Sequence, residues 1–501
     1  MFSYNFAFLR DINRPIYEEC CDYGKYIYTD PYKASDGVRH ILGLIAEDVV
    51  SKEKNKDALA AQFRVWKEKN VDRRGIEFIK DITDVKDLSD KYEIIRVANS
   101  EMKKERGKGI VPGIFFGKIS LYGNPDINKE FVTHRKWKDP FVIDFLRSFG
   151  NNGPHPEATD IPVLATVNNA ALSYKVLHEF LKSYYKKSIS KKGMEEPTFD
   201  ETKIPIVDYF VDSEYVPLDS EWSKCVKEYS CHYYTGNNDL TKHYAILRKY
   251  RGEDYAQDNL FITRNVDIYG NIRSTNSANT VDVKEIKSNT DDENGAYYIA
   301  YEFTQKPYRL NNATFKQFQF SIKDRMEICA KIINDVYKLH TAKPPIFHRD
   351  LSYDSIALCN FSGEKSEWVP YIIKFNFAKY KDGQVGTVVE DLIAADYKMY
   401  EDEKAPARLN KYRIDVIDKD TEWDKVDIYS LGNLLVDILL LNIHPKKIGG
   451  KQFDDISEML FIKSDSPTII MLKRMLSEDI YERPDIREVK TAFDSEAKRW
   501  I

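Results

Sequence analysis

The 501-residue chain is 42% hydrophobic and 13% aromatic, enough apolar content for packed cores in two or three domains. Its formal charge of −5 is small for that length and leaves no global field that would draw a nucleic acid or a membrane surface. The six cysteines show no repeated Cys-x-x-Cys spacing, and the richest apolar run, Leu431 to Ile443, is broken by Asp437; reduced thiols, no zinc and a cytoplasmic protein without membrane spans are expected.

In chain order, the first helix signal follows Asp30-Pro31, where Val38, Ile41, Leu42, Ile45 and Val49 fall on one helical face. A second stripe, Ala170, Tyr174, Leu177, Leu181 and Tyr184, predicts another helix. Both read as core. Between them, GIVPGIFFGKIS has the look of a phosphate loop, but Pro112 and Ile119 stand where a Walker motif needs Gly and Ser or Thr. Just before the second stripe comes LRSFGNNGPHPE, with Arg147, Gly150, Asn151 and His155 in the order R-x-x-G-N-x-x-x-H.

That motif, together with Phe6, Phe8, Leu9, Asp30-Pro31 and Arg39, resembles the HEPN-like all-helical domain found at the N-terminus of some type I restriction subunits. The resemblance covers residues 1–187, with an insertion at about 110–137. It implies a ribonuclease role for Arg147, Asn151 and His155, the His moving protons and the Arg steadying phosphate. HEPN ribonucleases hold their Arg and His closer in sequence than Arg147 and His155, so the favoured reading has these residues bracing a helix junction. A homo-oligomer formed through this domain is a further expectation.

Residues 188–205, first basic and then acidic, read as a solvated linker. Beyond it, Tyr244 to Lys249 predicts a strand, Val281 to Phe303 two more with a turn at Asp291 to Gly295, and the stripe Ile322, Met326, Cys329, Ile333, Val336 and Leu339 a long helix. Then come IFHRDLSYDSIALCNF, YIIKFNFAKY, the helical run KVDIYSLGNLLVDILL with Asp427, and Glu482-Arg483-Pro484.

This order resembles a protein kinase, with an N-lobe at 206–305 and a C-lobe at 306–501. The fold class expected for the whole chain is therefore α+β: a bilobal kinase-like fold behind an all-α HEPN-like domain. In the kinase pattern His348, Arg349 and Asp350 form the HRD turn, with Asp350 as base. Asp427 stands where a buried Asp bonds the backbone of that turn. The magnesium ligands are replaced: Ser355 occupies the Asn position and Asn376 the DFG Asp position. No glycine-rich loop precedes Ala245, alignment on that Ala puts Leu247 at the ATP lysine, and Lys249 on the same strand face becomes its substitute. Glu302 to Gln305 would supply backbone groups to an adenine. No Ala-Pro-Glu follows Asn376; the nearest candidate, Lys404 to Arg408, leaves Arg483 without its usual glutamate. Thr387, Tyr397 and Tyr400 lie where a phosphate could be read by Arg349.

ATP is the cofactor this resemblance implies, and the neutral residues at both metal positions argue against Mg²⁺. Three functions follow. The first is a pseudokinase-type sensor acting on an unidentified protein partner, with a role in prokaryotic defence. The second is a divergent active Ser/Thr kinase using Asp350 as base, with Asp354 or another acid recruited to the metal. The third is a HEPN-type ribonuclease regulated by the kinase-like part.

Overall fold

A computed structural model of the chain describes residues 3–52, 56–85, 90–91, 93–95, 97–98, 146, 149–150, 165–215, 225–235, 241–251, 266–273, 281–287, 296–362, 366–375, 378–381, 422–444 and 448–499. They combine helices and antiparallel sheets in an α+β architecture. The chain divides into two units, one holding Met1–Val211, the other Asp212–Tyr233, Lys242–Lys287 and Ala296–Ile501.

The first unit is helical. Helix α1 (Arg14–Gly24) starts where the Asn13 side chain accepts from the Ile16 amide and a proline fills the first turn. Helix α2 (Pro31–Lys52) carries the predicted stripe, and all five of its residues are buried. Each such aliphatic side chain contributes roughly 1.5–3 kcal/mol when fully removed from water. Helix α3 (Lys56–Lys69) follows, then α4 (Val167–Tyr184), capped by Thr166, and the short α5 (Lys186–Lys191). On α4 the second stripe is buried from Ala170 to Leu181, and Tyr174 donates to the Ala34 carbonyl at 3.2 Å, tying α4 to α2.

The expected solvated linker is not solvated throughout. Asn5 donates to the Asp200 carbonyl at 3.0 Å and accepts from the Asp200 amide at 2.8 Å, while Phe199 and Ile204 pack on the helical core. A few apolar side chains and one reciprocal amide pair are enough to hold a charged segment down, and charge alone concealed them. The boundary between units falls at Val211 and Asp212.

The second unit begins with a five-stranded sheet in the order β1 (Phe210–Tyr215), β2 (Cys225–Thr235), β3 (Thr241–Arg251), β5 (Ala296–Phe303), β4 (Asp282–Lys287). Strand β5 runs antiparallel to both neighbours, with Arg248 opposite Ile299 and Lys249 opposite Tyr298. Ile246 and Tyr250 on β3, with Ile299, Tyr301 and Phe303 on β5, face the core beside a helical segment at 266–273. Arg248 alternates with Ile246 and Tyr250 and therefore shares their face.

After β6 (Pro307–Arg309) come α6 (Asn312–Phe318) and α7 (Ile322–His340), the latter opened by a Ser321/Asp324 capping box. The predicted stripe of α7 is buried from Met326 to Leu339. Strands β7 (Ile346–Phe347), β8 (Ile356–Ser362), β9 (Ser366–Ile372) and β10 (Lys379–Tyr380) build two small sheets, β10-β7 and β6-β8-β9. Helix α8 (Trp423–Leu440) is buried from Val426 to Leu439, as a helix apolar on all sides must be. The chain closes with α9 (Gly450–Met459), α10 (Pro467–Met475) and α11 (Ile486–Ala497). Among the described residues no helix is long and apolar enough to cross a membrane.

Two glycines on α2 provide a paired test of packing. A Cβ at Gly37 would overlap Tyr23 on α1, whereas one at Gly43 meets nothing within 4 Å. Gly37→Ala should therefore destabilise the first unit by about 1–3 kcal/mol through overpacking, while Gly43→Ala should stabilise it by roughly 0.5–1 kcal/mol through helix propensity. Calorimetric unfolding of the two variants measures both signs; equal effects would show that helix propensity and not the α1–α2 contact governs this helix.

Candidate functional site

The HRD turn is held from below by one carboxylate. Asp427, fully buried in the first turns of α8, accepts from the backbone amide of His348 at 2.7 Å and of Arg349 at 2.7 Å, and lies 3.0 Å from His340 Nε2. The contact that the sequence motif implies is thus present. It is needed because Arg349 has a φ of 66°, a left-handed conformation that costs a non-glycine residue about 1–2 kcal/mol. Two charge-assisted hydrogen bonds offset that strain.

His348 is enclosed. Its Nε2 is 3.1 Å from the Ile373 carbonyl and its Nδ1 accepts from the Asp350 amide, an arrangement that fits the Nε2–H tautomer. Burial pushes its pKa below the ordinary value, against the opposing pull of Asp427 and of the Ile373 carbonyl. The Arg349 guanidinium, 4% exposed, lies 3.8 Å from the centroid of the Trp423 ring. Arg349 is therefore packed on an aromatic face, and the three hydroxyl residues expected to present a phosphate to it, Thr387, Tyr397 and Tyr400, lie outside the described residues. Arg483 is held by the Ser477 and Lys425 carbonyls and the Tyr429 ring. Those carbonyls take its Nε and Nη1 donors; Lys404 to Arg408 lie outside the described residues.

Ser355 is 1% exposed and serves its own turn, accepting from the Ser352 amide and donating to the Ser352 carbonyl, both at 2.9 Å. Its neighbour Asp354 opens onto a buried ion network. Asp354 pairs with Lys374 and, at 3.1 Å, with Arg309. Arg309 also pairs with Glu228, which lies 3.3 Å from Arg248 and 3.7 Å from Lys374. Glu228, Arg248 and Lys374 have side chains no more than 3% exposed. Three cations thus surround two carboxylates beneath the sheet, in a region where charges are stable only when paired.

The other expected site residues fall elsewhere. Lys249 lies on the opposite face of β3 from Arg248, half-exposed, with its ammonium 5.9 Å from the Tyr298 ring centroid. It does not join the residues around the HRD turn; Arg248 joins them. Glu302 is flanked by strands on both sides, opposite Ala245 and Asp282, and pairs with Lys284 at 2.7 Å. An adenine edge would therefore have to use residues beyond it. Asn376, Arg147, Asn151 and His155, with the insertion at 110–137, lie outside the described residues. Of the LRSFGNNGPHPE stretch, the Phe149 carbonyl accepts from Ser35 at 2.6 Å and Gly150 approaches the Arg39 backbone so closely that a Cβ would sit 3.0 Å from its nitrogen. Among the described residues no cluster of His, Cys, Asp and Glu could hold a metal ion. The described free cysteines are all buried, and burial pushes the Cys21 and Cys359 thiols up to about 12, far from a nucleophilic thiolate.

The network escaped sequence reasoning because its members come from five separate stretches. One signal was available: a charged residue at position 248, on the apolar face of an alternating strand, requires a buried counter-ion. The counter-ion itself could not be chosen from pattern.

No protein-family model matches the chain, and no curated protein is similar to it.

Replacing Asp427 with Ala strands two amide donors and releases a strained turn, which should cost about 3–5 kcal/mol. The fall in unfolding temperature by calorimetry measures it; a loss under 1 kcal/mol would show that the turn is held by other contacts. A pH test follows from His348. Its depressed folded pKa means that the unfolded chain takes up a proton the folded chain refuses, so the stability it contributes is complete above pH ~6.5 and is lost as pH falls. His348→Gln should start less stable at pH 7.5 and lose less than wild type between pH 7.5 and 5.

Proposed function

We propose that the second unit is a protein-kinase-like module of the pseudokinase type, a regulatory element coupled to a HEPN-like helical domain. The observation that carries this reading is the engagement of Asp354. Because Ser355 and Asn376 are neutral, an active kinase built on this sequence would need a recruited carboxylate for a metal, and Asp354, beside Ser355, is the candidate among the described residues. Asp354 is instead paired with Lys374 and Arg309. Phosphoryl transfer depends on positioned cations that neutralise the triphosphate, and a carboxylate already neutralised by two side chains binds Mg²⁺ poorly.

The retained HRD turn has a structural task that suffices to explain it. Asp427 organises the start of the loop, His348 seals it against Ile373, and Arg349 stacks on Trp423. Each of these contacts would serve a scaffold as well as an enzyme. Asp350, partly exposed at the head of the loop, is the residue that keeps an active Ser/Thr kinase in contention, and it defines the test.

Incubating the full chain with radiolabelled ATP in Mg²⁺ and in Mn²⁺, beside the Asp350→Asn variant, should give no transferred label in either protein. Label present in the wild type and lost in the variant would overturn the pseudokinase reading and establish a divergent kinase.

A further inference from the structure

Helix α9 ends in a residue that folding alone would not favour. The Phe461 amide donates to the Glu458 carbonyl at 3.1 Å and the Ile462 amide to the Ser457 carbonyl at 3.0 Å, the bond pair of a Schellman motif, whose left-handed position favours glycine. Phe461 fills that position at a φ of 53° and is 79% exposed. Backbone strain at a residue with a β-carbon and an apolar ring left in water are two costs at one site.

Other helix ends sharpen the contrast. Gln319 after α6 and Leu441 after α8 also take left-handed φ values, 45° and 49°. Gln319 is polar, and Leu441 packs against the core of the unit. Phe461 instead turns a large apolar side chain to solvent, while Met459 and Ile462 near it pack inward. Strain of this kind at an exposed residue points to a role outside the fold.

The surrounding charges select what covers the ring. The exposed face of α9 carries Lys451, Asp454, Asp455 and Glu458, at i, i+3, i+4 and i+7, so carboxylates outnumber ammonium groups three to one. Beyond Phe461 the exposed charges are Lys463, Asp465 and, on α10, Lys473, with the balance reversed. Helix α10 packs on α9 and leaves Ile470, one turn before Lys473, 46% exposed. An apolar centre therefore lies between an acidic segment and a basic one. A twofold axis crossing that line at Phe461 sets the acidic segment of each chain against the basic segment of the other, the self-complementarity that an isologous contact requires. A partner of one charge sign would meet like charge on one side.

We propose that the α9–α10 surface is a self-association face, in which Phe461 and Ile470 pack against the same residues of a second copy of this chain and the α9 carboxylates face that copy's Lys463 and Lys473. Nothing in this assignment uses the HRD turn or the ion network, so it stands or falls independently of the pseudokinase reading.

Sedimentation equilibrium of the full chain over about a hundredfold range of concentration tests it. The wild type should associate reversibly, and Phe461→Asp and Phe461→Gly should each raise the dissociation constant about tenfold or more. Phe461→Gly should also unfold at or above the wild-type temperature, because glycine takes a φ of 53° without strain. Lys463→Glu with Lys473→Glu should weaken association, and adding Asp454→Lys and Asp455→Lys to the same chain should restore it. A wild type that stays a single chain throughout would overturn the assignment and leave Phe461 to a different protein. Association unchanged by Phe461→Gly, a lowered unfolding temperature in that variant, or no recovery on charge reversal would overturn it as well.

Discussion

The Asp427 carboxylate is the contact from which the second unit takes its arrangement. Buried in α8, it binds two successive backbone amides of the 348–349 turn and stands against His340 at the end of α7. Two helices and one loop therefore share a single anion. That anion fixes the strained φ of Arg349, and with it the direction in which the chain leaves toward Ser352 to Ser355. The position of Asp354 follows from this geometry, since the turn that carries it is closed by the reciprocal Ser352–Ser355 bonds.

Where that loop meets the sheet, charge is balanced internally. Glu228 and Asp354 sit among Arg248, Arg309 and Lys374, with Lys374 itself held at a φ of 67°. Removing Glu228, Arg248, Lys374 and most of Asp354 from water, with Arg309 partly exposed at the edge, carries a large desolvation penalty that mutual attraction must repay. On the pseudokinase reading proposed above, a carboxylate of this network offered to a divalent cation would have to give up a pairing with Lys374, Arg248 or Arg309. The same physics gives the network a specifying role, since it ties together β2, β3, β6, the Tyr353–Ser355 turn and Lys374 just past β9.

Much of this was legible in the chain and some was not. The stripes of α2, α4 and α7 announced their buried faces because helical periodicity is a local property, written within a few turns. The two strands before Phe303 were equally visible from alternation and an intervening turn. Asp427 could be anticipated through the resemblance of its helical run to the kinase helix whose Asp bonds the backbone of the HRD turn; apolar patterning alone does not separate it from Asp437 of the same helix. The ion network could not, since Glu228 and Lys374 are brought together by tertiary folding and no local pattern links them. Lys249 was favoured as the functional cation of β3 on motif alignment; the strand's alternation with Ile246 and Tyr250 instead put Arg248 on the inward face. The segment at 188–205 misled for a different reason. Its composition is that of a linker, yet Phe199, Ile204 and the Asn5–Asp200 pair anchor it.

The central claim is that Asp354 and Lys374 belong to each other and not to a bound metal and its nucleotide. A double-mutant cycle on Lys374→Met and Asp354→Leu, read as unfolding free energy of the full chain without added ligand, addresses it directly. Each single change should destabilise by about 3 kcal/mol or more by unbalancing the network and leaving its partner only its second contact, Arg309 for Asp354 or Glu228 for Lys374, and the double variant should recover a large part of that loss. Costs that simply add would mean that the two groups are energetically independent, and the case for a self-neutralised cleft would fail.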